Sequence, residues 1–262
     1  MKRHLEVGAR RVEDALAAER GGAERVELYA SPLEGALTPS AGLIEAAAVA
    51  VSRLRLFVML RPRAGDFLYS ASEFETIRRD ADIALEKGAD GLMCGILDEQ
   101  GGLDARRMKA LKEQCGGKPF TLHRAFDFTR DPFAALEQAV DIGCDYVLTM
   151  GQESEALFSP AVRERLFAAA EGRVKMVVAL GADFDTGDLE AVARETGAAD
   201  FHIVNNYRKR RSAMQWAPDA ATESDYLRET MFTLEYLCER AVREARDVLD
   251  RMEEQDEKGQ PC

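Results

Sequence analysis

Apolar residues along this chain fall into short dense blocks, separated by longer stretches where they recur every three or four positions. Eight blocks read as strands, at residues 4–7, 26–29, 54–60, 89–94, 119–122, 144–149, 174–180 and 200–204. Several are continuous rather than alternating, as in Leu56-Phe57-Val58-Met59-Leu60, the pattern of a strand covered on both faces. Between them, 3.6-residue spacing predicts helices near 12–20, 72–86, 104–115, 132–142, 160–170 and 187–196, with an Ala-rich helix after a Ser40 cap. Ser72 followed by Glu75 reads as a capping box. Gly21-Gly22, Gly88 and Gly197 read as helix stops that lead into the next strand. A long final helix is expected over residues 225–252, on the stripe Leu227, Met231, Leu234, Cys238, Ala241, Ala245, Val248 and Met252. Eight strand–helix alternations in 262 residues predict an α/β fold with a parallel sheet closed as a TIM-type (β/α)8 barrel. An open doubly wound sheet is the alternative, but no Gly-x-Gly-x-x-Gly follows the first strand. Residues 1–252 then form one domain, and 253–262 a flexible tail.

Composition narrows the partners. Hydrophobic residues make up 46% and charged residues 31%, enough for one large core. Lys and Arg number 35 against 47 Asp and Glu, a net charge of -12. That field repels nucleic acids and anionic membrane surfaces. No apolar run approaches the roughly 18 residues of a membrane-spanning helix, and residues 1–7 lack the apolar core of a signal peptide. A cytoplasmic protein is expected. Cys94, Cys115, Cys144, Cys238 and Cys262 are odd in number and scattered. Reduced thiols fit that pattern better than disulfides or a structural zinc.

Sites in such barrels lie at the carboxyl ends of the strands. The groups expected there are Glu6, Glu27, Arg61, Arg63, Asp66, His123, Arg124, Asp127, Thr149 and His202. The densest cluster closes the stretch Pro-Phe-Thr-Leu-His-Arg-Ala-Phe-Asp, residues 119–127. His123 is the general acid/base candidate, since its ordinary pKa lies near neutrality. Glu6, Glu27 and Asp127 complete the catalytic set. The alternative for His123 is a core histidine bonded to the backbone. Arg61, Arg63 and Arg124 offer paired N–H donors to a carboxylate or phosphate, with Asp66, Thr149 and His202 in the same binding set. Their alternative is an ion-pair ring with Glu6, Glu27 and Asp66 that closes the barrel top. A Glu/Glu/His set suits Mg2+, Mn2+ or Zn2+ better than Cu(I), which prefers sulfur. Cys94 is the one thiol near a strand end and the weak copper candidate. Its neighbour Met93 must face the other side of the strand. The basic run Tyr207–Arg211 is either an anion-capturing lid or a solvated loop or subunit contact, with Trp216 in the same loop. It is too short for nucleic-acid binding.

Several stretches together resemble the CutC, or copper homeostasis protein, family. They are Leu5-Glu6-Val7, Gly21-Gly22-Ala23-Glu24-Arg25-Val26-Glu27-Leu28, Glu34-Gly35-Ala36-Leu37-Thr38-Pro39-Ser40, Arg61-Pro62-Arg63-Ala64-Gly65-Asp66-Phe67, His123-Arg124-Ala125-Phe126-Asp127 and Gly151-Gln152. The resemblance implies a TIM-like barrel, a cytosolic setting, homo-oligomers and a link to copper. Gly8 and Tyr29 stand where family members often carry cysteines, the proposed Cu(I) ligands in some of them. Leu180-Gly181-Ala182-Asp183 replaces the family's Gly-Gly-Gly turn, and the end of the eighth strand differs from the usual Phe-His-Ala-Ser. The expectation is a CutC-like protein with a polar site for copper, another metal or a small anion at the carboxyl face of the barrel. The alternative is a barrel enzyme of lyase or isomerase type, doing acid/base chemistry on a small anionic metabolite with no copper role.

Overall fold

A strand with apolar side chains on both faces is stable only between two layers, and each of the eight predicted blocks is placed in that way. A computed structural model describes residues 1–151, 160–180, 186–204, 207–216 and 224–259. Parallel strands β1 His4–Ala9, β2 Arg25–Leu28, β3 Arg55–Met59, β4 Gly91–Cys94, β5 Phe120–Leu122, β6 Tyr146–Thr149, β7 Lys175–Leu180 and β8 Asp200–Ile203 close into a barrel in sequence order. Helices α1 Val12–Gly21, α2 Ala41–Ala50, α3 Ala71–Glu86, α4 Ala105–Gln114, α5 Pro132–Ile142, α6 Pro160–Ala170 and α7 Leu189–Thr196 follow the first seven strands. The TIM-type (β/α)8 barrel is therefore the fold.

The main hydrophobic core lies between strands and helices and includes Leu5, Val7, Leu28, Val58, Leu92, Leu122 and Phe201. A second cluster fills the barrel itself: Phe57, Met93, Tyr146, Leu148, Val177 and Ala179. Register partners in a parallel sheet face the same side. Glu27 opposite Phe57, Gly8 opposite Glu27, and Glu6 opposite both Arg25 and His202 therefore put these charged residues inside the barrel. Cys94 lies opposite Leu122 and belongs to the outer cluster.

Two expectations change. Helix α3 starts at Ala71, not at Ser72. Ser70 caps it, accepting from the Glu73 N–H at 3.2 Å, while Glu73 accepts from the Ser70 N–H at 2.7 Å. The Ser-x-x-Glu pattern occurs twice in overlap, and Glu73 wins because it also holds Arg63 at 2.6 Å. The long final helix is two helices, α8 Asp225–Phe232 and α9 Glu239–Glu257, with a strand between them. That strand, β10 Thr233–Leu237, pairs antiparallel with β9 Tyr207–Arg211, so the basic run is a strand of a ribbon and not an open loop. Its sequence, Thr-Leu-Glu-Tyr-Leu, alternates and is rich in strand formers, which outweighs the helical spacing of Leu227, Met231 and Leu234. Met231 and Leu234 are exposed.

Helix α9 fills the eighth helical place against α1 and α7, burying Ala241, Val242, Ala245, Val248, Leu249 and Met252. It continues past Met252, and Glu253 accepts the Arg3 backbone N–H at 2.7 Å. Buried Arg246 fastens α9 to the amino end of the barrel through the Arg3 carbonyl at 2.9 Å and Glu24 at 2.9 Å. At the opposite end Asp14, 1% exposed, accepts from the Leu237 N–H at 3.1 Å and the Tyr207 hydroxyl at 3.3 Å. The ribbon is thus held to the first turn of α1.

Candidate functional site

Inside the barrel, β1, β2 and β8 contribute a continuous chain of charge. Arg25 lies between Asp200 at 3.2 Å and Glu6 at 2.5 Å. The other oxygen of Glu6 meets His202 Nδ1 at 2.9 Å, and His202 Nε2 meets Glu27 at 3.1 Å. All five side chains are buried. Arg25 also stacks on Tyr146, with its guanidinium carbon 4.3 Å from the ring centre. Burial penalises every charge here, but the partners differ. Glu6 overcomes its burial through Arg25 and the His202 bond, and its pKa falls to about 2. Glu27 has only the imidazole beside it and the Glu6 charge nearby, so burial pushes its pKa up to about 7. In His202 burial acts to lower the pKa, but the bond to Glu6 and the two carboxylate charges outweigh it and raise the pKa. The 3.1 Å contact between Glu27 and His202 therefore joins two groups whose pKa values are both raised. Sequence reasoning chose Glu6, Glu27 and His202 but missed Arg25 and Asp200, which sit at the starts of their strands. For Asp200 the available signal was a charge inside a strand expected to be buried on both sides, whereas Arg25 falls just before the expected strand 26–29.

His123 lies across the barrel at the end of β5, 2% exposed. Its Nδ1 accepts the Ala125 N–H at 3.0 Å, which leaves the ring proton on Nε2. Burial and then the Arg61 charge lower its pKa to about 3, so it stays neutral. Phe67 packs on the imidazole at 5.1 Å between ring centres, and Arg61 lies over the Phe67 ring with its guanidinium carbon 4.9 Å from the centre. Arg61 donates to the carbonyls of Glu34, Gly35 and Gly65, and forms no ion pair among the described residues. His123 Nε2, Arg61 Nε and the Tyr69 hydroxyl are all buried without a hydrogen-bond partner.

The remaining expected site residues are placed elsewhere. Asp127 accepts from the Thr149 hydroxyl at 2.5 Å, the Met150 N–H at 2.9 Å and Arg124 Nε at 3.1 Å. It ties the loop after β5 to the end of β6, which places Asp127 and Thr149 in a structural clamp. Arg124 is half exposed, and its charge acts on both Glu27 and His123. Arg63 is spent within its own loop on Glu73, Asp66 and the carbonyls of Ala64, Asp66 and Leu68. Asp66 points to solvent.

A metal fits this donor set poorly. No group of three or more His, Cys, Asp or Glu among the described residues could hold an ion. The reason is visible at His202: both ring nitrogens are engaged by carboxylates, so the donors face one another and share no common centre. Cys94 lies between strands and helices, where burial pushes its thiol far up, away from the thiolate that Cu(I) prefers.

The sequence model of the CutC family matches residues 3–206. This chain belongs to the CutC family. It is 39% identical over 254 residues to the family protein CutC of Bacteroides fragilis, covering 97% of this chain and 98% of that protein. It is 42% identical over 198 residues to the copper homeostasis protein cutC homolog of Homo sapiens, covering 76% of this chain and 71% of that one. The crystal structure of the putative copper homeostasis protein CutC from Streptococcus agalactiae is similar at a TM-score of 0.72 and 26% identity, over 77% of this chain and 98% of that chain. Set beside the CutC pattern, Gly8 and Tyr29 prove to be neighbours: a Cβ at position 8 would meet Tyr29 Cε1 at 2.9 Å. The Tyr29 ring fills the space between the two positions, and its hydroxyl is no sulfur ligand. Gln152, the turn at 181–183 and Cys262 lie outside the described residues. No helix among the described residues is long and apolar enough to cross a membrane.

Proposed function

We propose that the carboxyl end of this CutC barrel transfers a proton to or from a small organic anion, with Glu27 and His202 as the working pair. The observation that carries this reading is a single imidazole bracketed by two carboxylates whose environments drive their pKa values apart, Glu6 to about 2 and Glu27 to about 7. Such divergence separates a fixed counter-charge from a group that can exchange a proton near neutral pH. Arg25 and Glu6 hold His202 with its Nδ1–H toward Glu6, which leaves Nε2 to trade a proton with Glu27. The step is the removal of a proton from a carbon beside a carbonyl: the C–H bond breaks, its electron pair stays as enolate, and the proton passes to Glu27. Arg124 at the rim supplies attraction for a negative substrate. Thr149 and Asp127 support the site by fixing the loop that carries Arg124.

Copper is carried in the names of relatives, and no cluster of sulfur ligands among the described residues supports it here. A cytoplasmic homo-oligomer is the setting the resemblance implies, and this reading keeps it. The test is hydrogen–deuterium exchange at carbon in a panel of small 2-oxo and 2-hydroxy acids, followed by proton NMR in D2O. Protein-dependent exchange that disappears in Glu27→Gln is expected. Exchange unaffected by Glu27→Gln, or none with any acid together with tight stoichiometric Cu(I) binding, would overturn the assignment.

A further inference from the structure

Three buried polar atoms, on Arg61, Tyr69 and His123, share one property. Arg61 Nε, the Tyr69 hydroxyl and His123 Nε2 lack any hydrogen-bond partner, and their residues are 6%, 3% and 2% exposed. Arg61 and His123 both pack on Phe67, and the Arg61 guanidinium is within reach of the Tyr69 oxygen as a donor, which still leaves the Tyr69 O–H without an acceptor. Each can donate. The bond from the Ala125 N–H to His123 Nδ1 makes Nε2 the protonated nitrogen. A buried donor without an acceptor costs roughly 1–3 kcal/mol, so three in one neighbourhood mark a place where an acceptor is missing. The other unpartnered buried nitrogens, Arg3 Nε, Arg10 Nε and Arg25 Nη2, belong to guanidiniums already paired with a carboxylate, and the partly exposed Arg63 and Arg124 have carboxylate partners too.

We infer that this quarter of the barrel mouth receives the carboxylate group of a small organic acid, through the Nε–H of Arg61, the O–H of Tyr69 and the Nε2–H of His123. The inference rests on the proton-transfer reading and names the substrate's handle. Charge selects the class. Arg61 brings one positive charge, balanced by no carboxylate among the described residues, and His123 is neutral, so the site matches a single negative charge. A carboxylate supplies that charge and lone pairs for three donors. A phosphate brings more negative charge than one guanidinium offsets, and leaves oxygens without donors. Water would satisfy the donors but leave the charge uncompensated. Phe67 provides an apolar wall. The acid's remaining atoms face toward Arg124, whose charge reaches both His123 and Glu27.

The experiment is thermal unfolding of the full chain at constant ionic strength and neutral pH, with acetate as the probe and chloride, acetamide and inorganic phosphate beside it. Acetate alone should raise Tm in a saturable way. Tyr69→Phe keeps the ring and removes only the donor, and should weaken the apparent acetate affinity about tenfold. Glu27→Gln should leave acetate stabilisation intact, so loss of exchange chemistry and loss of this subsite are separate results. Acetate no better than chloride or acetamide would mean a hydrated void. Phosphate stabilising more than acetate would overturn the monoanion class. Acetate affinity unchanged in Tyr69→Phe would remove Tyr69 from the site and overturn the three-donor arrangement.

Discussion

His202 and His123 are buried to the same depth, 3% and 2% exposed, on opposite sides of one barrel. Desolvation lowers the pKa of both. In His202 it is outweighed by Glu6 and Glu27, one on each ring nitrogen, and the pKa rises. In His123 no carboxylate answers, the Arg61 charge adds to desolvation, and the pKa falls to about 3. Depth does not decide the charge of a buried imidazole; its neighbours do. One side of the mouth pairs its imidazole with a carboxylate on each ring nitrogen. The other leaves three buried donors without acceptors.

The largest effect expected is on the partnered side. Arg25→Met leaves Glu6 and Asp200 buried without their cation, and should cost about 3–5 kcal/mol in urea unfolding. A cost below about 1 kcal/mol would mean that the relay does not depend on Arg25. Next comes Gly8→Ala, which drives a methyl against Tyr29 and should cost about 1–3 kcal/mol. Combining it with Tyr29→Ala should recover part of that loss, and simple additivity would dissolve the coupling between the two positions.

Glu27→Gln comes third, and its sign can be worked out. The folded state keeps the Glu27 proton up to about pH 7, whereas the unfolded chain releases it near 4.5. Between those values the folded state binds more protons, so stability falls as pH rises and then levels off. Glu27→Gln should remove that decline and be more stable than the parent above pH 7 by about 2 kcal/mol. Parallel pH profiles would contradict the raised pKa. Glu6 acts in the opposite sense: its depressed pKa contributes stability above about 4.5 that is lost as pH falls toward 2. The smallest effect belongs to the unpartnered side. Tyr69→Phe removes a buried hydroxyl whose O–H has no acceptor, so it should change stability by less than about 1 kcal/mol.

The barrel was legible because its signal is repeated eight times and each strand is apolar on both faces. Glu27 and His202 were legible as charges toward strand ends, where the barrel rule places a site, whereas Glu6 lies mid-strand in β1, level with the start of β2. Arg25 was not, because a charge at the start of β2 becomes part of the site only when register sets it opposite Glu6. The lowered pKa of His123 was not legible, for a related reason. Sequence shows the residue type near neutrality, but its pKa depends on burial and on Arg61, more than fifty positions away in the chain. The ribbon was hidden because Leu227, Met231, Leu234 and Cys238 keep helical spacing by coincidence, while the pairing of Thr233–Leu237 with Tyr207–Arg211 is a long-range fact. Tyr69 gave no signal at all, since an unpartnered hydroxyl is defined by its surroundings.

The most direct test of the contrast is nitrogen-15 NMR of histidine-labelled protein between pH 5 and 8. His202 and His123 would be assigned with His202→Gln and His123→Gln variants. The account predicts that His123 stays neutral with its proton on Nε2 throughout, while the His202 nitrogens report the shared proton and change in Glu27→Gln. An ordinary titration of His123 near its unperturbed pKa of about 6.5, or His202 shifts indifferent to Glu27→Gln, would contradict it.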